Sequence, residues 1–536
     1  MVMTYSEQVL AGVIANRMAA QPDRAIVTFE NGGVRPDDLR TYRGLWEQGQ
    51  KLAQVLIDHG MGVGDHFALL MNNHVEFVDA MVAASISGTV FVPIDARTSG
   101  DKLTFMLEMA ECKGVIAADY ALDNVVKVRS QLPGLQWIIG FETDEGKKPL
   151  TSYPGVAPYA DALPLEAPDI TIRTVDPERA MELIFSSGTT GDPKGIITTH
   201  ARYCGLGAMT PGLIGYRTGD ILYSGLSLTH GNAQFITLGS ALVGGFPCVL
   251  SRKFSKSRLW DITRRYGCTS FNLLGGMMTA VFADPRKPDD ADNPVRLIIS
   301  SGMPKAIWEE FEQRYNVQIL EFYAAIEGGM SIKPVGVGPI GSIGKPPVTL
   351  LYRIVDENGN DCAPGISGEL LFRPGDGSPA KVEYYRNSEA SAAKVKDGWL
   401  HMGDIVVADQ DGWIFFLYRK GGAIRRNGEF INSGFIEKVI AENDTVDDVY
   451  VYGITSTNGT PGEKEVVAAI VPKDRAGFKP EAIYMMCRQK LEPSQMPRYL
   501  QLLDIIPKTA SEKPQDRFLI ELFETQPTSV YTENHR

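Results

Sequence analysis

From about Tyr42 onward, short apolar runs alternate with longer amphipathic stretches, and this alternation constrains the fold more than any other feature of the chain. The segment YRGLWEQGQKLAQVLIDHG spaces its apolar residues three and four apart, which predicts a helix with one buried face; HFALLM after it reads as a strand. MELIF, GFPCVL, TSFNLL and VRLIIS repeat the strand pattern, while SKSRLWDITRRYG and PKAIWEEFEQRYN repeat the helical one. That order predicts an α/β protein with a large N-terminal domain of helix-covered mixed sheets and ligand loops at strand ends. After about Gly336 the texture changes to short strands divided by turn chemistry, ENGN and PGISG, so a small β-rich subdomain is expected over about 336–418. Further strands and helices follow Arg419. They predict a small α+β C-terminal domain over 420–536, behind an N-terminal domain over 1–419. The polar end, TQPTSVYTENHR, is expected to fray.

With 536 residues, 44% of them hydrophobic, the chain has material for more than one core. Its 53 basic and 65 acidic residues leave a net charge of −12 without a long Lys/Arg run, which argues against nucleic acid or an anionic membrane as partner. The six cysteines show no CxxC or metal-like spacing, the usage of a reducing compartment. The N-terminus lacks a basic region followed by an apolar core. The most apolar stretch, roughly residues 80–94, is interrupted by Ser, Thr and Gly and falls short of the ~20 residues a bilayer span requires. A cytoplasmic protein without a transmembrane segment is expected.

The strongest chemical signal is Ser186-Ser187-Gly188-Thr189-Thr190-Gly191-Asp192-Pro193-Lys194-Gly195, between the strand pattern MELIF and the run IITTH. Its glycines allow tight backbone turns, its hydroxyls offer hydrogen bonds, and Lys194 supplies charge, a combination suited to polyphosphate. It is not a Walker A loop, because Pro193 stands where that motif needs Gly before Lys. A flexible Ser/Gly surface loop is the plainer reading, and the position after a buried strand disfavours it. The segment resembles the phosphate loop [ST]-[ST]-G-[ST]-T-G-x-P-K-G of the acyl-adenylate-forming superfamily, which includes acyl-CoA synthetases, peptide-synthetase adenylation domains and luciferases.

Other segments resemble that family's motifs in the same order. Ser301-Gly302-Met303-Pro304 and Phe322-Tyr323-Ala324-Ala325-Ile326-Glu327 are similar to its adenine-binding stretch and its Y-G-x-T-E motif, with Ala324 for Gly and Ile326 for Thr. A Tyr offers a flat face to adenine and a Glu a hard oxygen to Mg²⁺. Asp404 and Arg419, in GWLHMGDIVVADQDGWIFFLYRKGG, match the acid and the arginine that contact ribose hydroxyls; Met402 replaces Thr and Tyr418 replaces Gly. Arg425, Asn427, Gly428 and Glu429 fall in a stretch similar to the family's pantetheine-facing strand, where the paired arginines are read equally well as a solvated face or as a contact to the nucleotide part of CoA. Pro507-Lys508-Thr509-Ala510-Ser511-Glu512-Lys513 is similar to the terminal motif whose last lysine bridges carboxylate and α-phosphate. Glu512 for Gly, together with the RRxGE order, resembles the carnitine and crotonobetaine CoA ligase-like branch. His230 in LSLTHGNAQF matches a position lining the acyl pocket, with a buried structural histidine as the alternative. Gly275 and Gly276 in FNLLGGMMTA, together with Ala325, complete the expected acyl site, with room and plasticity but no named ligand.

What the resemblance implies is an ATP-dependent carboxylate-CoA ligase working in two steps, acyl-AMP plus pyrophosphate, then acyl-CoA plus AMP, with a mobile C-terminal domain that rotates between them. The implied catalytic residues are Lys513, Glu327, Thr190 and Lys194, and Thr190 and Glu327 are the implied metal contacts. ATP, Mg²⁺ and coenzyme A are the expected cofactors and cosubstrates, a small carboxylate is the partner, and a homodimer is a further candidate. The alternatives are a ligase that loads a carrier protein or releases its adenylate and, from another class, a degenerate nucleotide-binding regulator. The retained Lys194, Glu327, Asp404 and Lys513 disfavour the regulator.

Overall fold

A computed structural model describes residues 5–186, 193–420, 424–426, 429–431, 433–455, 464–509 and 514–533. The chain forms two compact units. The first comprises Met1–Asn272 with Pro294–Arg296 and Glu383–Ala392. Its seven-stranded sheet runs in the order Ala157–Pro158, Trp137–Phe141, Cys112–Ala118, His66–Leu70, Val90–Ile94, Ala180–Ser186, Lys194–Thr199. All neighbours are parallel except the last pair. His66–Leu70 and Val90–Ile94 are buried at every position, which is why HFALL and VFVPI read as continuous apolar runs and not as alternations. Thr41 starts the helix Tyr42–Asp58 by accepting the Gly44 N–H at 3.1 Å, satisfying a donor that the first turn cannot pair. A second set of strands in this unit, Leu222–Ser224, Cys248–Ser251 and Ala25–Glu30, is parallel, with Asp38–Thr41 antiparallel at its edge.

The second unit comprises Leu273–Asn293, Leu297–Val382 and Ala393–Arg536. Leu297–Ser301 and Gln318–Ala324 are parallel, linked through the helix Trp308–Tyr315, and Met330–Lys333 returns antiparallel. A five-stranded antiparallel sheet contains Leu350–Val355, Gly368–Pro374, Trp399–Ala408, Val395–Lys396 and Ile414–Arg419 around a core with Leu370, Phe372, Leu400 and Val406. Further on, Val446–Thr455, Lys464–Pro472, Tyr499–Leu502 and Val530–Thr532 form a four-stranded sheet, packed with Ile436, Ile440, Ile483 and Cys487 from two helices.

These elements give the α/β class expected from the alternation: mixed sheets in a large N-terminal part and a smaller C-terminal part with its own sheet. The C-terminal tail is a correction. It does not fray along its length, because Val530–Thr532 pairs antiparallel with Tyr499–Leu502 and the Tyr484 hydroxyl donates to the Tyr531 carbonyl at 2.9 Å. All six cysteines are free, five of them buried. Among the described residues no helix is long and apolar enough to cross a membrane.

Candidate functional site

In the first unit, Ala180–Ser186 and Lys194–Thr199 form an antiparallel hairpin in which Ser186 opposes Lys194 and Phe185 opposes Gly195. The phosphate-loop residues Ser187, Gly188, Thr189, Thr190 and Gly191 fall between these strands and lie outside the described residues. The Lys194 ammonium stands 5.2 Å from the centre of the Tyr384 ring, a cation–π distance, and the Tyr385 N–H donates to the Gly195 carbonyl at 2.8 Å. The segment Glu383–Ala392 is thereby held against the lysine's strand. No spacing in the sequence pointed to Tyr384. On the same hairpin Glu182 is fully buried, and desolvation pushes its carboxyl up to about 8 against the opposing pull of Gln234, Arg202 and Thr198.

His230 precedes a π-helical segment, Asn232–Leu238; its N–H donates to the Ser227 carbonyl at 3.2 Å, and its own carbonyl accepts the Gln234 N–H at 3.3 Å. A π-helical stretch is uncommon and often marks a functional position. The buried Asn272 side chain donates to Asn232 and accepts from the Thr237 hydroxyl at 3.1 Å, tying this segment to the strand Ser270–Leu274.

The second unit brings together most of the expected nucleotide residues. Glu321 is buried in the strand Gln318–Ala324, and its carboxylate accepts the N–H groups of Gly302 and of Met303, the latter at 3.1 Å. Ser301 donates its hydroxyl to the Phe322 carbonyl at 2.8 Å. These bonds hold the Ser301-Gly302-Met303 turn against the next strand. Desolvation raises the Glu321 carboxyl to about 7, the backbone N–H groups opposing. A Cβ on Gly275 would sit 2.2 Å from the Gly302 carbonyl oxygen, so the glycine allows the backbone of the Gly275–Phe282 helix to meet this turn. Gly276 has open space beside it. Glu321 left one signal in the sequence, an acid inside an apolar strand run, which is rare unless paired.

The Tyr323 hydroxyl donates to Asp404 Oδ2, while Arg419 Nε lies 3.8 Å from Oδ1. Asp404 is only 6% exposed and pairs across strands with Arg419. Burial first, then the Asp404 charge, raises the Tyr323 pKa well above its ordinary value, so the phenol stays a donor. Ala325, Ile326 and Glu327 form the half-buried turn after this strand, and Ala324 is exposed. Beside them, Lys394 Nζ donates to the Met402 carbonyl at 3.3 Å, with desolvation lowering its pKa and Glu327 the largest opposing charge. Glu369 Oε2 lies 3.3 Å from both His401 Nδ1 and Lys420 Nζ. Burial raises its carboxyl, but the hydrogen bonds and charges of His401 and Lys420 outweigh burial and the net shift is downward. Neither Lys394 nor Glu369 belongs to a motif recognised in the sequence.

Arg425 and Glu429 fall in a two-stranded ribbon, Arg425–Arg426 with Glu429–Phe430; Asn427 and Gly428 lie outside the described residues. So does Lys513; among the described residues, Lys508 and Pro514 form an antiparallel bridge. Among the described residues no group of three or more His, Cys, Asp or Glu side chains could hold a metal by itself. A single carboxylate such as Glu327 suits Mg²⁺, which keeps waters and is bound mainly through substrate phosphates.

The sequence matches the AMP-binding enzyme family over residues 14–377 and the AMP-binding enzyme C-terminal domain over residues 436–513. The chain belongs to the AMP-binding enzymes. It is 28% identical over 461 residues to a medium/long-chain-fatty-acid–CoA ligase, FadD17, of Mycobacterium marinum, covering 85% of this chain and 86% of that protein. It is also 28% identical over 542 residues to long-chain fatty acid transport protein 1 of Rattus norvegicus, covering 95% and 82%. The fold is that of the anthranilate CoA ligase AuaEII, solved with anthranoyl-AMP, at a TM-score of 0.82 and 21% identity over 98% of this chain and 100% of that one. A benzoate CoA ligase from Burkholderia xenovorans LB400 has a TM-score of 0.78 at 20% identity, over 95% and 99%.

Proposed function

We propose that this AMP-binding enzyme is an ATP-dependent carboxylate-CoA ligase. The observation that carries the reading is Tyr323 on Asp404 beside Arg419, at the end of the strand whose turn presents Glu327. Relatives named as fatty-acid–CoA ligases support thiol transfer as the second step. In the first step a carboxylate oxygen attacks the α-phosphorus of ATP, the bond to the β-phosphate oxygen breaks, and pyrophosphate leaves. In the second, the CoA sulfur attacks the acyl carbonyl, its proton goes to solvent, and the bond to AMP breaks.

Each side chain has a role in this reading. Tyr323, Ser301, Gly302, Met303 and Phe322 frame the adenine, with Asp404 and Arg419 at the ribose. Ser186, Thr189, Thr190 and Lys194 hold the departing phosphates, and Lys513 faces the charge that develops at the attacking carboxylate. Glu327 and Thr190 hold Mg²⁺, which when bound neutralises phosphate charge. His230, Gly275, Gly276 and Ala325 flank the acyl group, and Arg425, Asn427, Gly428 and Glu429 the CoA arm. The functional division falls at 1–419 and 420–536; the separate core containing Ile424, Ile436, Val466 and Leu500 supports it. The same reading places the enzyme in the cytoplasm and includes a homodimer, which sedimentation of the full chain would test.

The test is carboxylate-dependent pyrophosphate release, screened over short and long aliphatic, aryl, steroid-like and zwitterionic acids, the last covering the carnitine-type branch. Each hit is then assayed for AMP release with free CoA and with an acyl-carrier protein. Pyrophosphate release without thioester on CoA would favour carrier loading or adenylate release. No release with any acid would leave a nucleotide-binding regulator.

A further inference from the structure

A nucleotide held by its ribose at Asp404 and by its metal at Glu327 must carry its α-phosphate between those two carboxylates, because the phosphate hangs from the ribose 5′ carbon. Lys394 is a cation on which both carboxylates act. Its ammonium donates to the carbonyl of Met402, two residues before Asp404 on the same strand. Its electrostatic neighbours are Glu327, Arg419, Asp404 and Glu369, in falling order. An ammonium has three N–H donors. Among the described residues the Met402 carbonyl is the hydrogen-bond partner of one of them. A half-buried cation with donors to spare is costly to desolvate unless an anion completes its shell. Of the carboxylates that act on it, Asp404 is engaged by the Tyr323 hydroxyl and Glu369 by His401, Lys420 and the Gly403 N–H at 3.2 Å, while Glu327 is the one assigned to the metal.

We propose that Lys394 is a phosphate-binding residue of the adenylation site, its remaining N–H groups donating to α-phosphoryl oxygens of ATP and of the acyl-adenylate. The proposal rests on the reading of Asp404 and Glu327 as the ribose and metal contacts. It makes a demand that a structural lysine would not: the side chain senses the phosphate and is indifferent to the nucleoside.

The experiment measures AMP and adenosine on the full chain by competition against a fluorescent ATP analogue, in the parent, Lys394→Met, Lys394→Gln, Lys394→Arg and Asp404→Ala. Lys394→Met should weaken AMP by at least about tenfold and leave adenosine unchanged, because the charge-assisted contact to phosphate is lost and the bond to the Met402 carbonyl that goes with it involves no nucleoside atom. Lys394→Arg should recover most of the AMP affinity. Lys394→Gln keeps a donor for Met402 without the charge and carries the same comparison should the methionine variant fail to fold. Equal weakening of AMP and adenosine, or no weakening of either, overturns the phosphate role. Asp404→Ala should weaken both ligands; if it does while the lysine variants do not discriminate, only Lys394 is wrongly assigned. If Asp404→Ala changes neither ligand, the nucleotide site itself is wrongly placed.

Discussion

Two substitutions at the residue scale separate the chemistry from the scaffold. Lys513 is proposed to face charge that exists only while carboxylate and α-phosphorus are joining. Its loss should therefore fall on one half-reaction: Lys513→Ala should slow adenylate formation about 10²- to 10³-fold. CoA transfer from supplied acyl-AMP should be nearly unchanged. Single-turnover rates for each half-reaction check this, and equal damage to both would make the lysine structural. Ile326 occupies a half-buried turn where the resemblance implies a threonine. Ile326→Thr should cost stability of about 1 kcal/mol or less, since two apolar carbons leave a site that is only half-buried and a hydroxyl replaces one of them. The Mg²⁺ requirement should stay the same or tighten. Loss of folding would show that the isoleucine belongs to the core; lost activity in a folded protein would place it in the acyl pocket.

The element that makes a clear pH prediction is the hairpin flanking the phosphate-loop motif. Glu182 has its carboxyl raised from an ordinary 4.5 to about 8, so the folded chain keeps a proton there that the unfolded chain releases. Such a group favours folding fully below pH 4.5, and that contribution is lost as pH rises towards about 8, at a slope of about 1.4 kcal/mol per unit. Glu182→Gln is neutral at every pH and similar in shape. It should flatten the decline in Tm between pH 5 and 9, with the variant the more stable at the alkaline end. Parallel Tm curves for the two proteins would mean that this carboxyl does not hold its proton. Glu321, raised to about 7 by desolvation, contributes with the same sign over a narrower window, and so some decline should persist in the Glu182 variant.

At the scale of the whole molecule the decisive position is the proposed junction after Arg419, where Lys420 is tied back by its N–H to the Gly403 carbonyl at 2.7 Å and by its ammonium to Glu369. Gly421 and Gly422 follow, outside the described residues. If the two half-reactions need different backbone conformations at Gly421, fixing φ there near about −65° with proline should impair one far more than the other. Gly421→Pro is expected to spare carboxylate-dependent ATP–pyrophosphate exchange and to suppress CoA transfer from preformed acyl-AMP, both measured on one folded preparation. Proportional loss in the two assays, or none, would remove Gly421 from the hinge and with it the proposed division at 419.

Helices and strands were legible in the sequence wherever burial imposed a period. YRGLWEQGQKLAQVLID carries its helical stripe, and the FALL run of the next strand shows by unbroken apolarity that both faces are covered. The order of the phosphate-loop, adenine, ribose and terminal motifs was equally legible, because each is a contiguous stretch whose chemistry requires neighbouring residues. Contacts between distant residues were not. Tyr323 reaches Asp404 across 81 positions and Gly302 reaches Glu321 across 19, and nothing local in either partner announces the other. Tyr384 under Lys194 belongs to the same class, as does the tail: TSVYT is polar enough to fray by composition, yet it finds the open edge of Tyr499–Leu502. Period and motif report what a segment buries or presents. Which segment it meets is set by strand register and by the order in which the sheets are assembled, and these only the tertiary structure decided.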